Sequence, residues 1–238
     1  RRPLTTPKAR RWLSNICITL IGVAIVRGVF PVLAVALAVA LAAHGTNLGI
    51  LNQAPLPFFA KIILAVLALD LFIYGQHLLF HRVPVLWRLH MMHHTDLDVD
   101  VTTGLRFHPV EVLLSMGIKL AAVLIIGPPV LAVILFEIIL NGTSMFNHGN
   151  IQIPANIDRF LRYIVVTPDV HRVHHSVIIK ETNSNYGFNF PWWDRLFGTY
   201  RAQPAAGHEK MTIGLSQFRN PKQLTLLRLL TLPFIDKK

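Results

Sequence analysis

The chain holds twelve histidines in 238 residues, and they are not evenly spread. Ten fall at His77, His81, His90, His93, His94, His108, His148, His171, His174 and His175, and LHMMHH and HRVHH repeat one three-then-one spacing. On a helix, residues three and four apart share a face. Each trio can therefore aim its imidazoles at one small volume, and His77 and His81 are likewise four apart. Imidazole suits zinc, copper, iron and nickel, and one tetrahedral metal needs only four protein ligands. This many histidines could serve two metals. His44 and His208 stand apart from the pattern.

Other chemistries fail on residues. No Glu has a His three positions later, as the carboxylate di-iron bundles require. The sole His-Glu pair, His208-Glu209, has Thr212 where a zincin needs its second histidine. GxGxxG, P-loop and GxSxG patterns are absent. The single cysteine, Cys17, excludes internal disulfides, iron–sulfur clusters and thiolate zinc sites, and reads as an inert apolar residue.

The elements that must position the histidines are apolar. Hydrophobic residues make up 53% of the chain and charged ones 15%, against roughly 25% charged in a soluble domain. Ile16 to Ala43 contains one charge, Arg27, and Ile62 to Phe80 one, Asp70. Val110 to Phe146 contains Glu111, Lys119 and Glu137 and is divided by Gly127-Pro128-Pro129. Runs near the roughly 20 residues of a membrane span predict an all-α bundle of four transmembrane helices in two hairpins. A histidine-rich cytoplasmic helical cap completes it. The first run is too long for one perpendicular crossing, so residues 12–30 either lie partly in the interface or form one long tilted helix.

The whole of 1–238 reads as a single membrane-embedded unit: a basic N-terminal segment 1–11, spans and the first histidine region over 12–147, and a cap over 148–238. Lys and Arg cluster in RRPLTTPKARRW, in the His81–Pro109 loop and beyond His148, while the His44–Pro57 loop has none. That asymmetry places both termini and the ten histidines in the cytoplasm, at a bacterial inner membrane or the endoplasmic reticulum. The net charge of +11 flanks spans instead of forming a nucleic-acid face. No cleavable signal peptide is evident.

Polar stripes run along two spans. Asp70, Tyr74, His77 and His81 share one spacing with Glu137, Asn141, Ser144 and His148. Intramembrane ionisable groups are expected to face the bundle interior in pairs. The stripes should therefore oppose each other, with Lys119 as counter-charge for Glu137 or Asp70, and Asp70, Tyr74, Glu137 and Asn141 supporting ligands or lining a cavity. In TNSNYGF, Asn183, Asn185 and Gly187 favour turns, and the Asn side chains could hold imidazoles or bound water. Trp87, Trp192, Trp193 and Phe197 suit a membrane interface. Asp96, Asp98, Asp100, Glu111, Asp169 and Asp194 are candidates to balance metal charge.

HLLFH, LHMMHH and HRVHH, with LRFHPVE, FNHGN and TNSNYGFNFPWWDRLFGTY, resemble the fatty acid hydroxylase superfamily, also called the sterol desaturase family. The similarity runs from Leu69 to Tyr200. Members are membrane-embedded di-iron oxygenases that use O2 and external electrons to hydroxylate or desaturate lipid C–H bonds. The resemblance implies two irons held by His77 and His81, by His90, His93 and His94, by His148, and by His171, His174 and His175. His108 matches one branch only. It implies a lipid substrate, whether sterol or hopanoid, fatty acyl or sphingoid chain, ether lipid or carotenoid. A fused b-type cytochrome like that of some members is not expected here, and a ferredoxin or separate b-type cytochrome is expected to supply electrons. The rivals are a histidine-rich metal transporter, which needs ligands on both sides of the bilayer, and a zinc-dependent membrane hydrolase, which needs a carboxylate motif to activate water.

Overall fold

The computed structural model describes residues 2–235, so Arg1 and the last three residues of the predicted cap lie outside it. The chain forms α1 (Lys8–Val29), α2 (Ala34–Ala43), α3 (Ile50–Gln53), α4 (Phe58–Arg82), α5 (Pro84–His94), α6 (Pro109–Ile126) and α7 (Val130–Asn147). Shorter helices follow: α8 (Ala155–Leu161), α9 (Pro168–His174), α10 (Ile179–Thr182), α11 (Trp192–Leu196), α12 (Gly207–Lys210) and α13 (Leu226–Ile235). Among the described residues there is no strand, only one isolated bridge between Ser176 and Ile213.

Among the described residues, four stretches are long and apolar enough to cross a membrane: Lys8–Ala43, Phe58–Arg82, Pro109–Ile126 and Val130–Asn147. Their outward faces carry large apolar side chains such as Ile63, Leu64, Leu124, Ile125, Leu131 and Ile138. Water would not tolerate that surface and hydrocarbon would. The chain is an integral membrane protein. Where α2, α4, α6 and α7 meet, small residues Ala34, Ala38, Ala65, Ala122 and Ala132 let the backbones approach around Leu69, Val123 and Phe136, as is usual between helices in lipid.

The first apolar run is broken. Pro31 lacks an amide hydrogen and disfavours helix at the residue before it, and Phe30 is extended at φ −109°. The first half of α1 does not sit among the other spans. Its buried stripe of Arg11, Ser14, Asn15 and Ile18 docks on the segment after α5. Arg11 bonds Asp96 at 3.0 Å and also pairs with Asp100, Asn15 bonds Thr102 at 3.0 Å, and Thr19 reaches the Leu105 carbonyl at 2.9 Å. Upstream, Thr5 and Thr6 donate backbone amides to Asp98 at 2.9 and 2.8 Å. The crossing is completed by the second half of α1 and by α2, which joins the apolar core. At the opposite end, Gly127 closes α6 in the left-handed region at φ 63°, and Gly49, at φ 90°, lies too close to it for any side chain.

Candidate metal centre

Four segments bring histidines to one end of the bundle. The last turns of α4 carry His77 and His81. Pro84, with φ pre-set and no amide to satisfy, starts α5 after an extended Val83 and so folds His90, His93 and His94 back over α4. His148 caps α7. Pro168 starts α9, which brings in His171, His174 and His175.

Nine of the ten predicted histidines converge, in two groups. The first is His77, His81, His90, His94 and His174; the second is His93, His148, His171 and His175, with one ring nitrogen of each member within 4.8 Å of the others. The trios are therefore split, and neither aims all three of its imidazoles at one volume. At about 100° per residue, a position four along is rotated by about +40° and one three along by about −60°. His94 stays with His90 while His93 swings to the second group, and His175 stays with His171 while His174 swings to the first.

Hydrogen bonds fix how each ring is presented. His77 Nδ1 lies 2.8 Å from the Tyr186 carbonyl, His90 Nδ1 2.6 Å from Glu111 Oε1, and His174 Nδ1 2.7 Å from the Ser184 carbonyl. His148 Nδ1 meets the Ser144 carbonyl at 2.7 Å, and His81 Nδ1 meets Asn183 Oδ1 at 3.3 Å. Each acceptor holds the imidazole proton on Nδ1 and leaves Nε2 as a lone pair. His77 and His90 then face each other with two lone pairs 3.2 Å apart, an arrangement that only a cation relieves. Nε2 of His81, His94 and His174 is buried without any partner. In the second group, His148 Nε2 lies 3.2 Å from that of His93 and 3.0 Å from that of His171, which is 3.3 Å from that of His175. Nitrogens bound to one metal at about 2.1 Å are about 3.0–3.4 Å apart for right-angle to tetrahedral geometry. The donor set, burial and spacing fit two metal ions.

Burial keeps the imidazoles neutral, as ligation requires. Desolvation pushes His174 down to about 3 and His148 down to about 4, and drives His93, His94, His171 and His175 well below their usual value. Neighbouring imidazoles add to the effect because two cannot charge side by side. The Phe107 ring lies nearly flat on His93, with centroids 4.5 Å apart.

His108 lies apart from both groups. Its ring caps α6, accepting from the Val110 amide at 3.2 Å, and its Nε2 meets the Leu230 carbonyl at 3.0 Å. Of the candidate carboxylates only Glu111 touches a histidine of either group. Asp96, Asp98 and Asp100 are engaged by Arg11, Thr5 and Thr6, and Asp169 pairs with Arg172 at 2.5 Å. Asp194, fully buried, accepts from the amides of Tyr186 and Gly187 at 2.8 Å each.

Asp70 and Glu137 do not meet each other across the two polar stripes. Asp70 accepts from the Trp193 indole at 2.8 Å, and Tyr74 bonds Thr199 at 2.9 Å while stacking on Phe197. Glu137 pairs with Lys119 at 2.8 Å, the counter-charge expected from the sequence, and Asn141 donates to the Glu137 carbonyl. Aromatic residues placed on the interface by sequence thus anchor α11 to α4. Asn183 supports His81. Asn185 touches no imidazole: at φ 53° it bonds the Val170 and Arg201 backbone and shapes the turn. The carbonyls of Ser144, Ser184 and Tyr186 carry no sequence signal, and only the fold reveals them.

A cavity of about 280 Å³ opens beside the first group, bounded by α1, α4, α6 and α7. Its wall includes His77, His90 and Glu111 at one end, then Phe80, Leu105 and Val112, and farther along Lys119 and Asn141. The site is thus a pair of buried histidine groups, each able to hold a metal ion, at one end of a membrane bundle, the first of them bordering a chamber among the spans.

A model of the fatty acid hydroxylase family matches residues 62–199, a stretch that contains all nine converging histidines. The chain belongs to this family. It is 29% identical over 153 residues to the ornithine lipid hydroxylase OlsE of Rhizobium tropici, covering 64% of this chain and 45% of that protein. The alkylglycerol monooxygenase of Homo sapiens is 29% identical over 157 residues, 64% of this chain and 32% of that one. The cholesterol 25-hydroxylase of Mus musculus is 28% identical over 149 residues, 61% and 48%. The aligned part therefore spans less than half of each of these relatives. No solved structure matches the chain.

Proposed function

We propose that the chain is the oxygenase core of a di-iron lipid hydroxylase, with desaturation as the secondary outcome. The observation that carries this is the set of buried imidazole nitrogens without a protein partner beside a largely apolar chamber that lies within the spans. His77, His81, His90, His94 and His174 would hold one iron, and His93, His148, His171 and His175 the other. Two irons would supply the one-electron and O2 chemistry that side chains lack. Overall, a C–H bond, O2, two electrons and two protons give C–OH and water.

The protein's own part is positional. Backbone carbonyls and Glu111 fix the rings, so ligation needs little rearrangement. Phe80, Leu105 and Phe107 exclude water around a bound alkyl group. Glu111 Oε2, buried and unpartnered on the chamber wall, can hold a proton or a water next to the first group. The names of the relatives, which act on ornithine lipid, alkylglycerol and cholesterol, support a lipid substrate and leave its class open. Lys and Arg on the histidine-bearing side support a cytoplasmic placement and an acidic electron donor, a ferredoxin or b-type cytochrome.

Metal analysis of anaerobically prepared protein tests the reading. About two irons per chain, with oxidation of a lipid extract that requires reductant and O2, is the expected result. Stoichiometric native zinc with hydrolysis and no O2 uptake would overturn it. Zinc after overexpression alone would not, because zinc displaces ferrous iron from imidazole sites.

A further inference from the structure

The chamber is not apolar throughout. Its wall on α6 carries Glu111, Ser115 and Lys119 at successive turns, and α4 and α7 add Gln76 and Asn141. Gln76 Nε2 donates to Ser115 Oγ at 2.7 Å, yet Gln76 Oε1 is buried with no partner. Lys119 pairs with Glu137, and neither is sealed: their side chains are 12% and 26% exposed. Groups of this kind in the middle of a span are costly and mark sites where something polar is received. Lys119 lines the chamber that also reaches His77 and His90, and a cation kept only to join α6 to α7 through Glu137 has no need to do so.

We propose that the chamber selects a lipid carrying a neutral hydrogen-bonding group, a hydroxyl or an amide, which Lys119, Asn141 and Gln76 receive, with Glu137 balancing the charge of Lys119, while the histidines face a distant C–H bond. The inference rests on the oxygenase reading above. Neutrality follows from the pair, whose two charges already cancel, so an anionic or cationic group would leave one of them unbalanced. The separation follows from helix geometry: eight residues from Glu111 to Lys119 rise about 12 Å. With bonds of about 1.5 Å in a zigzag chain, that span is roughly nine to ten carbon–carbon bonds. The polar group would lie at mid-membrane depth and the oxidised carbon at the histidine end. The two ends of the chamber together act as a ruler, and Lys119 with Glu137 are the specificity-determining pair.

The test uses iron-loaded protein in lipid nanodiscs with reductant, O2 and a total lipid extract of the source organism, with each product's new oxygen located by tandem mass spectrometry. The expected product carries its new oxygen about nine to ten bonds from a hydroxyl or amide already present. In the double variant Lys119→Met/Glu137→Leu, which removes both charges together, kcat/KM for that substrate should fall at least about 10-fold, mainly through KM, with iron content unchanged. A product lacking such a group at that distance overturns the proposal without the help of any variant, as does native kcat/KM in the double variant. Iron-loaded native protein that consumes no O2 with any lipid overturns the oxygenase reading itself, a failure distinct from oxidation at the wrong distance.

Discussion

Glu111→Gln separates the orientation of a metal ligand from the charge behind it. Glu111 Oε1 lies 2.6 Å from His90 Nδ1, a length typical of a charge-assisted bond. Gln keeps an acceptor oxygen in place, so His90 retains its tautomer, but the bond becomes neutral. Hydrogen bonds to charged groups contribute about 1.5–3 kcal/mol against about 0.5–1.5 for neutral ones. The difference of about 1 kcal/mol lowers affinity at the first group by roughly 5- to 10-fold. Glu111→Ala also frees the ring and leaves Nδ1 unsatisfied, which should cost about 10- to 100-fold. The metal-free protein should respond the other way. Oε2 is buried without a partner, so removing the charge should leave its unfolding temperature equal or higher. The assay is anaerobic titration with Fe2+ or Co2+ of native, Gln and Ala proteins, alongside thermal unfolding of each without metal. Native affinity in the Gln variant together with a lower unfolding temperature would show Glu111 to be a structural prop and refute the argument.

Other perturbations have equally definite outcomes. His174→Ala should lower metal content chiefly at the first group and His93→Ala at the second, each abolishing activity, whereas His44→Ala changes neither metal content nor turnover. Elemental analysis with product assay checks this. His108→Ala should keep both metals and lose about 1 kcal/mol of stability with its cap, read by denaturation. At Gly104 a methyl group would meet the Ser144 carbonyl at 2.9 Å and His148 Nδ1 at 3.1 Å, so Gly104→Ala should weaken metal binding at the second group with little effect on the first. The metal-free protein should lose stability as pH falls below about 6.5. Unfolded histidines then take up protons that His148, held near 4, and His174, held near 3, refuse. Each such residue changes stability by about 1.4 kcal/mol per pH unit, which melting at a series of pH values would detect. A flat profile between pH 6.5 and 4.5 would contradict the burial of these rings.

Much of the site was legible because histidine is rare in apolar chains and spacing maps onto helix faces. The spans were legible from uninterrupted apolar runs, whereas the course of the first one was left open by the sequence and its break at Phe30, before Pro31, is a finding of the fold. The partition of the histidines was not, because a trio's spacing says that the rings are neighbours without saying where the seam between two metals runs. That seam depends on how α5 and α9 meet, a tertiary fact. The partner of Asp70 was hidden for a related reason. A helical stripe names a face but not its partner: Glu137 took the Lys119 that the sequence offered, while Asp70 found the Trp193 indole, 123 positions away in sequence. His108 misled because a histidine before Pro109 caps a helix as readily as it binds a metal. The backbone carbonyls that set the tautomers belong to every residue type and are invisible until the chain is folded.

The seam also bears on how the centre is spaced. His93 and His94 are joined by one peptide bond, as are His174 and His175, yet each pair divides between the two metal positions. The two junctions tie the groups together at the length of a dipeptide, so the separation of two bound ions would be set by the backbone of α5 and α9 and not by the ions themselves. An ion lost from one group would leave that separation, and the other group's ligands, in place.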